Sequence, residues 1–143
     1  MKKWKLLLGM IALSLGLVFT FNNSTNVNAA SWHRGTPIAL RGHWKQKTYI
    51  SDGNSKTVYY NKISITQKMV EADYFGSMPD EFTHIRWRKL NHNTYLLHAR
   101  RFIDGYNHKI HKLTIRRTSR NRMYLHLDGH SYLSNRHKEF IKY

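Results

Sequence analysis

The side chains best equipped for reactive chemistry are His98, His126, Arg100 and Arg101. A histidine pair beside guanidinium groups can cleave a phosphodiester by acid–base catalysis. Their spacing does not gather them, and the chain contains no G-x-S-x-G, no phosphate loop and no H-E-x-x-H. Carboxylate chemistry has less to work with. Asp52, Asp104 and Asp128 sit in turn sequences, where a short acid bonds its own backbone. Glu71 and Asp73 alone have acid–base spacing, and they read as two solvated residues on one strand face. His126 and His130 flank Asp128-Gly129 and can face each other across a hairpin, whereas His108 and His111 fall on opposite faces of a strand. Zinc takes three or four placed ligands, and no motif supplies them. The expectation is a protein without catalytic residues, metal site or cofactor.

A basic and aromatic pattern is the stronger signal. Trp87 lies between Arg86 and Arg88, with Lys89 next; Tyr95, His98, Arg100 and Arg101 follow, then Lys109, His111, Lys112, Arg116, Arg117, Arg120 and Arg122. If these segments are neighbouring strands, Arg86, Arg88, Arg100, Lys112 and Arg116 fall on wet positions of one sheet face and Trp87 in the core. Such a face engages phosphate or carboxylate groups, and tyrosines on it stack on sugars or bases.

The elements that position them are read from period two. Ile63 and Ile65, Ile85 and Trp87, Leu113 and Ile115, and Met123, Leu125 and Leu127 each alternate with polar residues, the pattern of strands with one buried face. Turn sequences fall at Asp52-Gly53-Asn54, 76–80, 91–93, Asp104-Gly105, 118–121 and Asp128-Gly129. The strands expected between them are 40–50, 57–66, 69–75, 82–90, 94–103, 109–117, 122–127 and 132–141, with 135–142 alternatively a short helix. Seven or eight antiparallel strands at this spacing predict an all-β fold, a small meander closed into a barrel or folded as a sandwich, and closure removes exposed edges.

The first thirty residues stand apart. Lys2, Lys3 and Lys5 precede an apolar run from Leu6 to Phe21, then a polar stretch and Val27-Asn28-Ala29. This is the layout of a secretory signal peptide, with cleavage after Ala29 or Ala30. The sixteen-position run is shorter than the roughly 20 residues of a bilayer span, although an uncleaved anchor remains the alternative. The division expected is a signal helix over 1–30 and one domain over 31–143. The chain has no cysteine, which excludes a lipoprotein anchor, disulfides and thiol chemistry. The net charge is +16; three of the 24 lysines and arginines and none of the eight acids lie in 1–30, so cleavage leaves +13. A cation of this size outside a cell meets anionic wall polymers, lipid headgroups, nucleic acid or acidic polysaccharide. Ten histidines add charge as pH falls through about 6.5.

Two resemblances follow. The stretch Trp32-His33-Arg34-Gly35-Thr36-Pro37-Ile38-Ala39-Leu40-Arg41-Gly42-His43-Trp44 resembles the opening W-H-x-G-T-P-x-A-L-R-G-x-W of small secreted proteins of lactic acid bacteria. That implies a Gram-positive secreted protein and carries no activity. Gly42-His43-Trp44 also resembles the G-x-W of lipocalin and calycin barrels. The resemblance implies that Gly42 lets the first strand bend, that Trp44 plugs one barrel end and that a late arginine, Arg136, packs over it. This domain is shorter than those barrels, lacks a clear C-terminal helix, and has Asp73-Tyr74 too early for their second motif.

The leading expectation is therefore a secreted, monomeric, non-enzymatic binding protein. Its cationic face attaches to anionic cell-wall or extracellular polymers, with nucleic acid among them. A lipocalin-like carrier or inhibitor with a small apolar ligand in the barrel is the alternative, and a secreted nuclease the third.

Overall fold

The computed structural model of the chain describes residues 31–102, 106–133 and 138–143. The expected signal helix, the Asp104-Gly105 turn and Arg136 lie outside the described residues. The strands are β1 (His33–Arg34), β2 (Gly42–Asp52), β3 (Ser55–Ile65), β4 (Val70–Asp73), β5 (Asp80–Lys89), β6 (Thr94–Phe102), β7 (Tyr106–Ser119), β8 (Arg122–Leu127), β9 (His130–Ser131) and β10 (Phe140–Lys142). Eight of them close an antiparallel meander barrel in the order β2-β3-β4-β5-β6-β7-β8-β10, with β10 pairing back onto β2. The two shortest are additions: β1 pairs with β5, and β9 with β8. Of the barrel and the sandwich expected from the strand spacing, the closed barrel is what forms.

Inward positions pair across the ladders and fill the interior. Trp44 faces Ile63, Val70 faces Phe82, Leu97 faces Leu113, Ile115 faces Leu125 and Met123 faces Phe140. All ten are buried. The last expected segment differs from the structure. Among its described residues only Phe140–Lys142 form a strand, three residues that suffice to bridge β8 and β2, and of the alternative helix over 135–142 those three residues are extended. Tyr132 belongs to no strand; its ring packs edge-on against Phe82 inside the barrel.

The two barrel ends are closed differently. At one end a single 3-10 turn, Ile38–Leu40, leads into Gly42, whose φ of +124° favours glycine, and then Trp44. The Trp44 Nε1–H donates to the Leu40 carbonyl at 2.8 Å. The side chain that covers the ring among the described residues is Lys142, with Nζ 5.4 Å from the ring centroid and 2.7 Å from the Arg41 carbonyl that accepts its proton. At the other end the closure is polar. Asn61 Nδ2 donates to Gln46 Oε1 and to the Leu133 carbonyl, and Gln46 Nε2 donates to the Lys138 carbonyl. These bonds tie the last segment across the opening.

Candidate functional site: a cationic face on β5, β6 and β7

The outer face of β5 owes its charge to a bulge. Asp80 and Phe82 point inward, and strict alternation would turn residues 84, 86 and 88 inward as well. The register shifts between Thr83 and Arg86, and His84 takes φ 53°. That extra residue reverses the phase. Ile85 is buried, Trp87 packs half-buried against the core, and Arg86 and Arg88 are delivered to the outer face.

Cross-strand register then arranges the cations in rows. Arg86 faces His98, and His98 faces Lys112. Arg88 faces Leu96, which faces Thr114, which faces His126. Arg100 lies between Thr83 and Ile110, one row from His98 on the same face. Arg116 faces Tyr124, and its guanidinium stands 5.1 Å from that ring. All five sequence-chosen cations thus occupy outward positions; Arg86, Lys112 and Arg116 are exposed, and Arg88 and Arg100 half-buried. The structure brings Arg86, Arg88, Arg100 and Lys112 together around His98. Arg116 sits apart, close enough to Glu139 to contribute to lowering its carboxyl, after Thr118 and Arg122.

The carboxylates in the ion pairs among the described residues engage other partners: Asp80 pairs with Arg101, Asp128 with His111 and Glu139 with Arg122. His98 registers the surplus of positive charge. Its imidazole is held below the ordinary value, first by burial and then by Lys112 and Arg88.

Trp32 is the residue of this face that strand alternation could not locate. It precedes the barrel, and β1 swings it over the sheet. Its ring lies 4.3 Å from the His98 ring, with the Arg88 guanidinium 5.2 Å from its centroid. His33 stacks on Trp87 at 4.6 Å. An aromatic ring set among guanidinium, ammonium and imidazole groups provides both a stacking surface and donors for an anion.

The reactive constellations come apart. Arg100 points out, but Arg101 points in, where its Nη2 meets Asp80 Oδ2 at 2.5 Å and the Tyr132 hydroxyl donates to the same carboxylate. Burial pushes the Tyr132 phenol up, and Asp80 reinforces it. His126 pairs with Ser131 and His130 with Leu127, so the two histidines do not face each other across the hairpin. His111 is inward, its Nδ1 2.7 Å from Asp128 Oδ2. Burial raises the Asp128 carboxyl, but the Lys112 amide and His111 outweigh it and leave it below its ordinary value. Among the described residues no group of three or more histidines and acids is placed to hold a metal. Glu71 and Asp73 lie half-buried on the outer side of β4, opposite Ser64 and Lys62.

No family model, curated protein or solved structure matches this chain.

Proposed function

We propose that this is a secreted, non-enzymatic binding protein whose β5–β7 face attaches it to an anionic polymer of a cell surface, most simply the wall of the producing cell. The observation that supports this reading most directly is the row Arg86–His98–Lys112, flanked by Arg88 and Arg100, on a chain of net charge +16. Counterions released from such a polymer drive binding, and added salt opposes it. Retention on isolated cell walls should fall steeply as salt is raised. Replacing Arg86, Arg88, Arg100, Lys112 and Arg116 together by glutamine should abolish retention and leave the circular dichroism spectrum unchanged. Retention insensitive to salt, or unchanged in the five-site variant, overturns the proposal.

A lipocalin-like carrier is the second reading. It draws on the closed barrel, on the Trp44 plug and on two buried side-chain nitrogens without hydrogen-bond partners, Arg101 Nε and His111 Nε2. Saturable quenching of the buried tryptophan by a small ligand, surviving in the five-site variant, is the result that would favour it.

A further inference from the structure

We infer that Arg34, Lys68 and Arg86 form a discrete seat for one phosphate group, beside the cationic face and at its β1 edge. The inference rests on the polyanion reading and assigns it a fixed point of recognition. Arg34, Gly35, Lys68, His84, Ile85 and Arg86 line a surface pocket of about 360 Å³. That volume is at the small end of the roughly 300–1,000 Å³ found for ligand pockets.

Three distant segments build the pocket, and the backbone fixes each of them. Arg34 on β1 is directly opposite Arg86 on β5. The Gly35 N–H donates to the Ile85 carbonyl at 2.8 Å, and the Thr36 N–H to the Gln67 carbonyl at 3.0 Å. The Thr36 hydroxyl donates to the Thr66 carbonyl at 2.5 Å. Gly35 makes this approach, with φ +77° and a position where an added Cβ would lie 2.5 Å from the Gln67 oxygen. The β3–β4 turn, and Lys68 with it, is thereby held against the lead-in segment. On the far side His84, a non-glycine residue in the left-handed region, holds the bulge that turns Arg86 outward.

Like charges directly opposed across a strand pair destabilise it. Arg34 and Arg86 are such a pair, with Lys68 as a third cation, and the ion pairs among the described residues include none of the three. Ile85 supplies an apolar wall, and no carboxylate is in the lining. A fold that holds three cations in one recess in this way is completed by an anion from outside. Two guanidinium forks and an ammonium suit the several oxygens of a phosphate group better than the two of a carboxylate.

The test follows backbone amide shifts while the protein is titrated at fixed ionic strength with inorganic phosphate, linear poly(glycerol phosphate) or poly-glutamate. Saturable shifts centred on Gly35, Thr36, Ile85 and Arg86 are expected with the phosphate polymer. The double variant Arg34→Gln, Lys68→Gln should weaken that binding about tenfold. Removing the same charge from the β2–β3 hairpin, by Lys47→Gln with Lys56→Gln, should weaken it less than about twofold. Equal losses in the two double variants would overturn the seat while leaving the polyanion reading intact. Equal affinity for poly-glutamate, with the same amides moving, would overturn the phosphate assignment. Saturation by inorganic phosphate without tighter binding of the polymer would support the seat and make free phosphate its ligand. Absence of any polymer binding by the unaltered protein, with retention on walls also absent, would remove both readings.

Discussion

Trp44 offers the most direct measurement of how this barrel is closed. Its indole is fully buried at one end of the barrel, opposite Ile63. It donates to the Leu40 carbonyl at 2.8 Å and carries the Lys142 ammonium over its ring. Trp44→Ala removes the largest fully buried side chain among the described residues and leaves a cavity that fixed strands cannot collapse into. Such truncations cost about 3–5 kcal/mol. A small domain has about 5–15 kcal/mol in total, so the variant should remain folded at room temperature with a much lower midpoint. At about 4 °C per kcal/mol the Tm should fall by about 12–20 °C.

Two companion variants separate the contributions. Trp44→Phe keeps most of the apolar volume but strips the Leu40 carbonyl of its donor, at a cost of about 1–3 kcal/mol. Lys142→Met keeps the stem over the ring and removes the ammonium, at a cost of about 1 kcal/mol. Urea unfolding followed by the fluorescence of the remaining tryptophans measures all three, with an unchanged slope showing that only stability moved. A cost below about 1 kcal/mol for Trp44→Ala would show that the indole does not seal the barrel.

Protein recovered from culture medium should begin at Ala30 or Ser31, and material beginning at Met1 at the cell surface would favour an uncleaved anchor. The His98 imidazole, followed by NMR, should titrate below its ordinary 6.5 because burial, Lys112 and Arg88 disfavour the proton. A histidine shifted down stays neutral where the unfolded chain is already protonated, so its contribution to folding is lost as pH falls through 6.5 and below. A polyanion bound beside Lys112 and Arg88 reverses their effect, so His98 should titrate higher in the complex and binding should strengthen over the same window. A His98 titration unmoved by polymer would place binding elsewhere. Asp80→Ala leaves the Arg101 guanidinium without its carboxylate and should cost about 3–5 kcal/mol in urea unfolding, whereas a loss near zero would mean that water replaces the pair.

The parts of the structure legible in the sequence are those governed by period two. Ile63 and Ile65, or Leu113 and Ile115, announce which side of their strand is buried, and the polar residues between them follow. Ile85-Arg86-Trp87-Arg88 was legible for the same reason, although the bulge at His84 that sets its phase carries no glycine to advertise it. Adjacent like residues were not legible. Arg100 and Arg101 read alike, and only the register with Ile110 and the Asp80 carboxylate decides that one is outside and the other inside. Contacts across the whole chain were equally hidden. Lys142 reaches Trp44 because β10 closes on β2, a pairing local alternation does not encode. Lys68 lines the same pocket as Arg34 because Gly35 lets the lead-in segment approach the β3–β4 turn.

The opening stretch from Trp32 to Trp44 joins closure of the barrel to construction of its charged face. Its second half seals the end: Leu40 accepts the indole proton, Gly42 bends the strand, and Arg41 anchors the lead-in by donating to the Thr36 hydroxyl and carbonyl oxygens. Its first half extends over the outside, where Trp32 covers His98, His33 covers Trp87 and Arg34 faces Arg86. Thr36 and Gly35 are the pivot between the two, bonded at once to the β3–β4 turn and to β5. A motif whose only task was to plug a barrel would have no need of its first three residues. Their place on the cationic face, beside the pocket of Arg34, Lys68 and Arg86, makes one segment both the seal of a barrel end and part of the charged face.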